Sequence, residues 1–281
     1  MTVVVDRPAR GAESEAPVRR ARGRLGDRLL YGYTWLIIVW LLLPVGVMIL
    51  FGFNNPKGRF NQTWQGFTLK WYRHLFDISD LTAALGRSLV MAVISTVIST
   101  ALGTFIGLAL GKYRFRGQGT ANLIMFATIS SPEIIMGASL LTFFVTLGVS
   151  FGFLTVLIAH VMFSLSFVAV VIRSRVLTLD PFVEEAARDL GAGAWATFRL
   201  VTLPMIFPGV MAGALLAFAL SIDDFVVTYF NSGQYTTFPL WIWGVTRIGI
   251  PPQVNVMGTL IFVAGVLLAV GNTVFARRRQ Q

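Results

Sequence analysis

The sequence predicts an all-α integral membrane protein with six transmembrane helices and both termini in the cytoplasm. Three observations support that prediction. Hydrophobic residues make up 55% of the 281 residues and charged residues only 13%, and the mean hydropathy is +0.72, a balance outside the range of soluble globular domains. The apolar residues fall into six long runs, and Lys and Arg are concentrated on one side of those runs.

Each apolar run is long enough to cross about 30 Å of hydrocarbon as a helix. The first run is too long for the apolar core of a signal peptide and lacks a small-x-small exit, so it is predicted to remain as an uncleaved membrane helix. The predicted spans lie at about 31–53, 85–110, 120–147, 152–172, 207–230 and 254–276.

Lys and Arg set the predicted orientation. Most of the 23 such residues precede the first run, follow the second or fourth, or close the chain after the sixth. Because positive residues are enriched on the cytoplasmic side, both termini and the long loop at 176–206 are predicted to be cytoplasmic. The enrichment of positive residues on the cytoplasmic side of a membrane protein explains the net charge of +10. No nucleic-acid partner is therefore predicted. The remaining positive residues face outward: Lys57, Arg59, Lys70, Arg73, Arg87 and Arg247.

Two basic segments flank the membrane part. Residues 1–28 are rich in Arg, Ala, Gly and Pro, which predicts a disordered cytoplasmic arm near anionic lipid headgroups. Residues 277–281 are predicted to form a basic cytoplasmic tail. Between them, 29–80 holds the first helix and an outer loop, and 81–276 holds the other spans. The outer loop mixes aromatic and charged residues, which predicts a helix lying in the outer membrane interface.

Small residues mark where helices are expected to pack closely. Gly103, Gly107 and Gly111 recur at four-residue spacing in the second span, and Gly209 and Gly213 do the same in the fifth. Such spacing lines one face of a helix and lets another backbone approach. The pattern predicts packing contacts and carries no chemistry of its own.

The loop at 176–206 has helix-forming composition on either side of Gly191 and Gly193. Glycine tolerates the positive φ found where helices end, so the loop is predicted to form two short helices, at 184–190 and 194–200, with a bend between them. Its alanines would let another protein approach the backbone, and Glu185 offers a charge for that partner. The alternative interpretation is an amphipathic helix resting on lipid headgroups.

The spacing within this loop resembles the EAA loop of ABC importer permeases. That family pattern runs Glu-Ala-Ala, three residues, Gly, nine residues, Ile or a similar residue, one residue, Leu-Pro. Shorter motifs at 86–89 and 112–117 also resemble this family, so the resemblance extends from about 81 to 276. The matching residues of the loop are Glu185, Ala186, Ala187, Gly191, Val201, Leu203 and Pro204.

The resemblance implies a type I importer in a prokaryotic cell membrane. It implies a second permease subunit, two cytoplasmic ATPase subunits that carry ATP and Mg, and an external substrate-binding protein; no cofactor is expected in this chain. In that scheme Glu185 anchors in a groove of the ATPase, Gly191 forms the bend, and Leu203-Pro204 transmits motion to the fifth helix.

The sequence offers no enzyme site. The Gly-Lys pair Gly111-Lys112 is followed by Tyr113, which does not fit a P-loop. His74 and His160 are far apart and have no ligands at metal spacing. No carboxylate lies one turn from His160 along the chain, so His160 is predicted to be a hydrogen-bonded packing residue in preference to a proton relay.

Carboxylates inside apolar spans are costly and usually functional. Glu133 follows Ser130-Ser131-Pro132 in the third span, an order that predicts a broken helix with a serine cap. Asp223 and Asp224 lie in the fifth span and point about 100° apart on a helix, so at least one should face the bundle interior. The alternatives are that Glu133 only satisfies a helix end, and that the aspartates pair with the partner permease.

The run from Ser221 to Gly233 resembles the fifth helix of spermidine/putrescine permeases. A polycation needs carboxylates and aromatic faces along its path, which favours polyamine cargo. Another small solute, such as thiamine, an iron complex or a phosphonate, is the nearer alternative, and an ATP-independent secondary transporter or channel is the farther one. The candidate path residues are Asp223, Asp224, Glu133, Phe225, Tyr229, Trp241 and Trp243.

Overall fold

The computed structural model describes residues 24–58, 60–180 and 182–278, and the side chains of 26–271 within those ranges. Contacts divide the chain into two units, Met1–Val47 and Met48–Gln281. The secondary structure of the described residues is helical apart from an isolated bridge between Asn54 and Phe67. The helices are α1 Arg24–Phe51, α2 Lys70–Arg73, α3 Ser79–Lys112, α4 Gln118–Ser130, α5 Glu133–Thr146, α6 Phe153–Leu177, α7 Phe182–Asp189, α8 Ala194–Thr197, α9 Leu203–Asp223, α10 Val226–Asn231, α11 Phe238–Val245 and α12 Pro252–Arg278.

In the described part of the chain, five helical segments are long and apolar enough to cross a membrane: Gly26–Phe51, Ser79–Lys112, Phe153–Leu177, Ala194–Asp223 and Pro252–Gly271. The pair α4 and α5 also passes if it is counted as one span, although it is bent by 109° at its break. An all-helical membrane protein is therefore confirmed, and the count is five or six depending on this bent pair.

The glycine stripes mediate the contacts of α6 with α3 and α9. A Cβ atom added at Gly103 would lie 2.7 Å from a methyl carbon of Val168, and one added at Gly107 would lie 2.7 Å from the carbonyl oxygen of Ala169. On α9, a Cβ at Gly213 would lie 3.2 Å from Val168. Hydrogen in place of a side chain is what lets these helices approach, as the spacing predicts.

The third and fifth predicted spans are each broken. Ser131 lies in extended conformation between α4 and α5, and its hydroxyl donates to the carbonyl of Ala127 at 2.7 Å. The predicted serine cap is therefore wrong, because this hydroxyl satisfies the end of α4 and does not begin α5. In the fifth span, α9 ends at Asp223 and α10 begins at Val226.

The predicted helix of the outer loop is short. Before α3 begins at Ser79, the described residues from Asn54 onward contain only the four-residue helix α2, and the indole nitrogen of Trp71 donates to the carbonyl of Asn54 at 2.7 Å. Leu75 is buried in a cluster with Leu81, Phe238 and Met257. Leu75 and Trp71 thus pack within their own unit, whereas Phe67 and Phe76 remain exposed. The location of α2 in the outer membrane interface stays a prediction.

Three further bounds depart from the sequence prediction. Helix α1 begins at Arg24, so residues 24–28 of the predicted disordered arm are helical, while residues 1–23 lie outside the described residues. Helix α12 continues to Arg278, into the predicted tail, and 279–281 also lie outside. Helix α11 was missed because its eight residues contain Pro239 and Gly244, which sequence patterns associate with loops.

Candidate functional site

The first candidate site is the segment 182–204. Helix α7 ends in a Schellman motif: the N–H of Ala192 donates to the carbonyl of Ala187 at 3.0 Å, and that of Gly191 donates to Arg188 at 2.9 Å. This motif requires a left-handed residue, and Gly191 has φ +88°, as predicted. The prediction was wrong for Gly193, which has φ −66° and precedes α8.

The second short helix is not separate from the fifth span. Helix α8 continues through a π-helical turn at Phe198–Thr202 directly into α9, so Ala194–Asp223 forms one continuous segment. Leu203 and Pro204 open α9, where Pro204 has no N–H to donate to a preceding carbonyl. A π-turn just before Pro204 keeps the segment helical despite that loss.

Glu184 joins α7 to the rest of its unit. Its carboxylate forms an ion pair with Lys112 at the end of α3 and accepts a hydrogen bond from the hydroxyl of Thr202 at 2.7 Å. Arg188 lies one turn away at 3.9 Å. The sequence analysis missed Glu184 because Lys112 lies 72 positions away along the chain. Glu185, the predicted anchor, is exposed and available to a partner.

The exposed face of this segment is apolar as well as charged. Leu190 is 91% exposed, Trp195 is 70% exposed, and Leu200 is 72% exposed. Ala186 is also exposed and Ala187 is half-buried. These exposed apolar side chains, like the exposed Glu185, are accessible to another molecule.

Glu184 makes the attachment of α7 dependent on pH. Burial alone would raise the pKa of this carboxyl, but hydrogen bonds from Lys112 and Thr202 and the charges of Lys112 and Arg188 outweigh it, so the pKa is lowered. Because the folded-state pKa is lowered, the ionised Glu184 carboxylate stabilises the attachment at pH values above the ordinary glutamate pKa. That stabilisation is lost as the pH falls through the lowered pKa. We therefore expect the protection of the α7 amides, measured as the exchange rate relative to the intrinsic rate at each pH, to fall on acidification more in wild type than in Glu184→Gln. An equal loss of protection in both would contradict this expectation.

The second candidate site surrounds the break between α9 and α10. Asp223 is exposed, whereas Asp224 is 9% exposed. The Asp224 carboxylate accepts hydrogen bonds from the backbone N–H of Thr228 at 2.8 Å and from its hydroxyl at 2.6 Å. Glu133 is also exposed, close enough to Asp223 for their charges to interact. Asp223 and Glu133 are therefore two exposed acids near each other, whereas Asp224 is buried.

Three of the predicted aromatic residues come together beside this break. The Phe225 ring lies 5.6 Å from Tyr229 and 5.3 Å from Trp243, centroid to centroid. Tyr229 and Trp243 are more than half exposed. Trp241 is placed differently: it is half-buried and packs against the cluster that contains Phe238. Tyr229, Trp241 and Trp243 all border a cavity of about 470 Å³.

His160 is hydrogen-bonded, as predicted, but it also has a carboxylate neighbour that the sequence analysis did not expect. Its Nε2 lies 3.3 Å from Asp224 and 2.8 Å from the hydroxyl of Thr228, and its Nδ1 lies 2.7 Å from the hydroxyl of Ser221. The absence of an acid one turn away along the chain did not predict this contact, because Asp224 comes from the break between α9 and α10.

Comparisons with known proteins agree with this architecture. Residues 103–280 match the family described as binding-protein-dependent transport system inner membrane component. The spermidine/putrescine transport system permease protein PotC of Escherichia coli K12 is 38% identical over 254 residues, covering 90% of this chain and 96% of PotC. The putrescine transport system permease protein PotI of the same strain is 37% identical over 262 residues, covering 90% of this chain and 91% of PotI.

Two solved structures share the fold at low sequence identity. A bacterial ABC transporter that imports alginate aligns with a TM-score of 0.66 at 15% identity, covering 93% of this chain and 99% of that one. The inward-facing MetNI methionine ABC transporter aligns with a TM-score of 0.60 at 19% identity, covering 70% and 95%. The chain therefore belongs to the inner-membrane components of binding-protein-dependent transport systems, the permease family of type I ABC importers.

Proposed function

We propose that this chain is a permease subunit of an ATP-driven polyamine importer, with six membrane spans and both termini in the cytoplasm. The polyamine cargo is supported by the exposure of two acids, Asp223 and Glu133, whose charges are close enough to interact, and by the cluster of Phe225, Tyr229 and Trp243 beside the α9–α10 break. We place these groups on one surface of the permease. Carboxylates replace the hydration of a polycation, and aromatic faces attract its ammonium groups. The named activities of PotC and PotI support the same cargo.

A second permease subunit would complete the path by covering this surface. Two ATPase subunits, which carry ATP and Mg, would bind the exposed face of 182–202 through Glu185 and the apolar residues around it. An external substrate-binding protein would deliver the cargo. Closure of the ATPase pair would move α7, and the contacts of Glu184 and the continuous helix from Ala194 would pass that motion to α3 and α9.

The proposed orientation predicts where reporters work. A reporter that is active only in the cytoplasm should function when inserted near Ala192 or fused after Gln281, and should be silent when inserted near Gly58, because positive residues hold the first two sites inside. The measurement is reporter activity at equal protein content. An external signal at Ala192 would remove the proposed ATPase-binding role of this segment.

The cargo proposal predicts a large effect of one acidic residue. Asp223→Asn keeps size and hydrogen bonding but removes the charge, so uptake of labelled spermidine at equal complex content should fall by roughly tenfold, the effect of about 1.4 kcal/mol. Asp80→Asn, at an exposed position at the start of α3, is the matched control and should transport normally. Unchanged uptake in Asp223→Asn would exclude electrostatic selection of a polycation and favour another small solute.

A further inference from the structure

His160 contacts both sides of the α9–α10 break from a third helix. Its Nδ1 reaches Ser221 on α9, before the break, and its Nε2 reaches Thr228 on α10, after it. Ser221 in turn accepts a hydrogen bond from Ser95 on α3 at 2.9 Å. All of these side chains are buried. One imidazole ring on α6 thereby contacts the helices on both sides of the break.

The hydrogen-bond directions follow from Asp224. A carboxylate only accepts, so the Thr228 hydroxyl, 2.6 Å from Asp224 Oδ2, uses its proton there. The oxygen of that hydroxyl must then accept from His160 Nε2. The Asp224 carboxylate also accepts from the backbone N–H of Thr228 at the start of α10. The ring therefore supplies the hydrogen bond that the Thr228 oxygen accepts and lies beside the Asp224 carboxylate, and buried groups of this kind are costly to leave unpaired.

This arrangement decides where the neighbouring acid points. Asp224 has ψ 119°, an extended conformation between the two helices, and its side chain is directed inward by the contacts just described. Asp223 is the last residue of α9 and is left on the exposed side, near Glu133. The break has an exposed acid because its other acid is held inside.

We infer that His160 is a positioning residue: by joining Ser221 to Thr228 and Asp224 across the break, it holds Asp223 on the surface that faces the path. This inference rests on the proposed function for its role in uptake, but the position of Asp223 can be measured without any cargo. The chain contains no cysteine, so Asp223→Cys introduces a single thiol whose reaction rate reports how that position is exposed.

The experiment compares modification of Asp223→Cys by a small cationic thiol reagent in the assembled complex, alone and combined with a second substitution. Adding His160→Gln, or Ser221→Ala, which removes one contact and leaves the ring, should change the modification rate by about tenfold. Adding Ser164→Ala should not change it, since Ser164 is buried on the same helix and its hydroxyl has no hydrogen-bond partner among the described residues. A thiol at Asp80→Cys, which should react equally in all backgrounds, verifies that the fold is intact.

Uptake supplies the second readout. If His160 acts through Asp223, the double variant His160→Gln/Asp223→Asn should transport spermidine no worse than Asp223→Asn alone, because effects on one pathway do not add. Unchanged thiol reactivity in both His160→Gln and Ser221→Ala would overturn the inference, and so would additive losses of uptake. If the thiol reactivity changes as expected but the wild-type complex takes up no polyamine, the positioning role is upheld and the proposed cargo is refuted.

Discussion

Replacing Gly107 will destabilise the permease more than any other single glycine change on α3. A Cβ at this position would lie 2.7 Å from both the Ala169 carbonyl oxygen and Cβ of Ile172, and neither atom is the free end of a flexible side chain. Overpacking of this kind costs about 1–3 kcal/mol. We expect Gly107→Ala to lower the unfolding temperature of the purified complex clearly, and Gly107→Leu to leave little folded protein.

The matched control lies on the same helix. Gly86 is exposed, and a Cβ there would meet nothing within 4 Å, so Gly86→Ala should be neutral or slightly stabilising because alanine favours helix by about 1 kcal/mol over glycine. Thermal unfolding of both variants in one detergent gives the comparison. Equal stability of Gly107→Ala and Gly86→Ala would mean that α3 and α6 do not pack through this stripe.

The second large effect is expected in the segment that we propose binds the ATPase. Gly191→Pro removes the N–H that donates to Arg188 and demands φ near −65° in place of +88°. Glu185→Lys reverses an exposed charge offered to the partner. Each variant should remain inserted in the membrane, lose co-purified ATPase and abolish ATP-coupled uptake, since a reversed charge at an interface is repelled by the group that paired with it.

Gly193→Ala is the control for the backbone. Gly193 has φ −66° and open space around its Cα, so alanine should leave assembly and uptake unchanged. The measurements are the ratio of ATPase to permease after purification and the rate of uptake at equal complex content. Normal values for both Gly191→Pro and Glu185→Lys would refute the docking role of 182–202.

Features of the candidate sites that depend on adjacent residues could be predicted from the sequence, whereas contacts between residues far apart in the chain could not. The positive φ at Gly191 and the broken third helix are consequences of a few adjacent residues, so spacing predicted them. Glu184 escaped notice because its partners, Lys112 and Thr202, lie 72 and 18 positions away. Trp241 was grouped with Trp243 because both are tryptophans in one short run, yet packing of α11 turns Trp241 towards the cluster of Phe238.

The sequence by itself determined the membrane class, the approximate spans and the close-packing faces of α3 and α9, because hydropathy and glycine spacing are properties of residues near one another in the chain. Only the tertiary structure decided which of the two adjacent aspartates is exposed. That choice depends on His160, which is 61 positions from Ser221 and 68 from Thr228. Hydropathy and spacing treat two adjacent aspartates alike, whereas in the structure the buried donors on α6 and α10 are directed to Asp224.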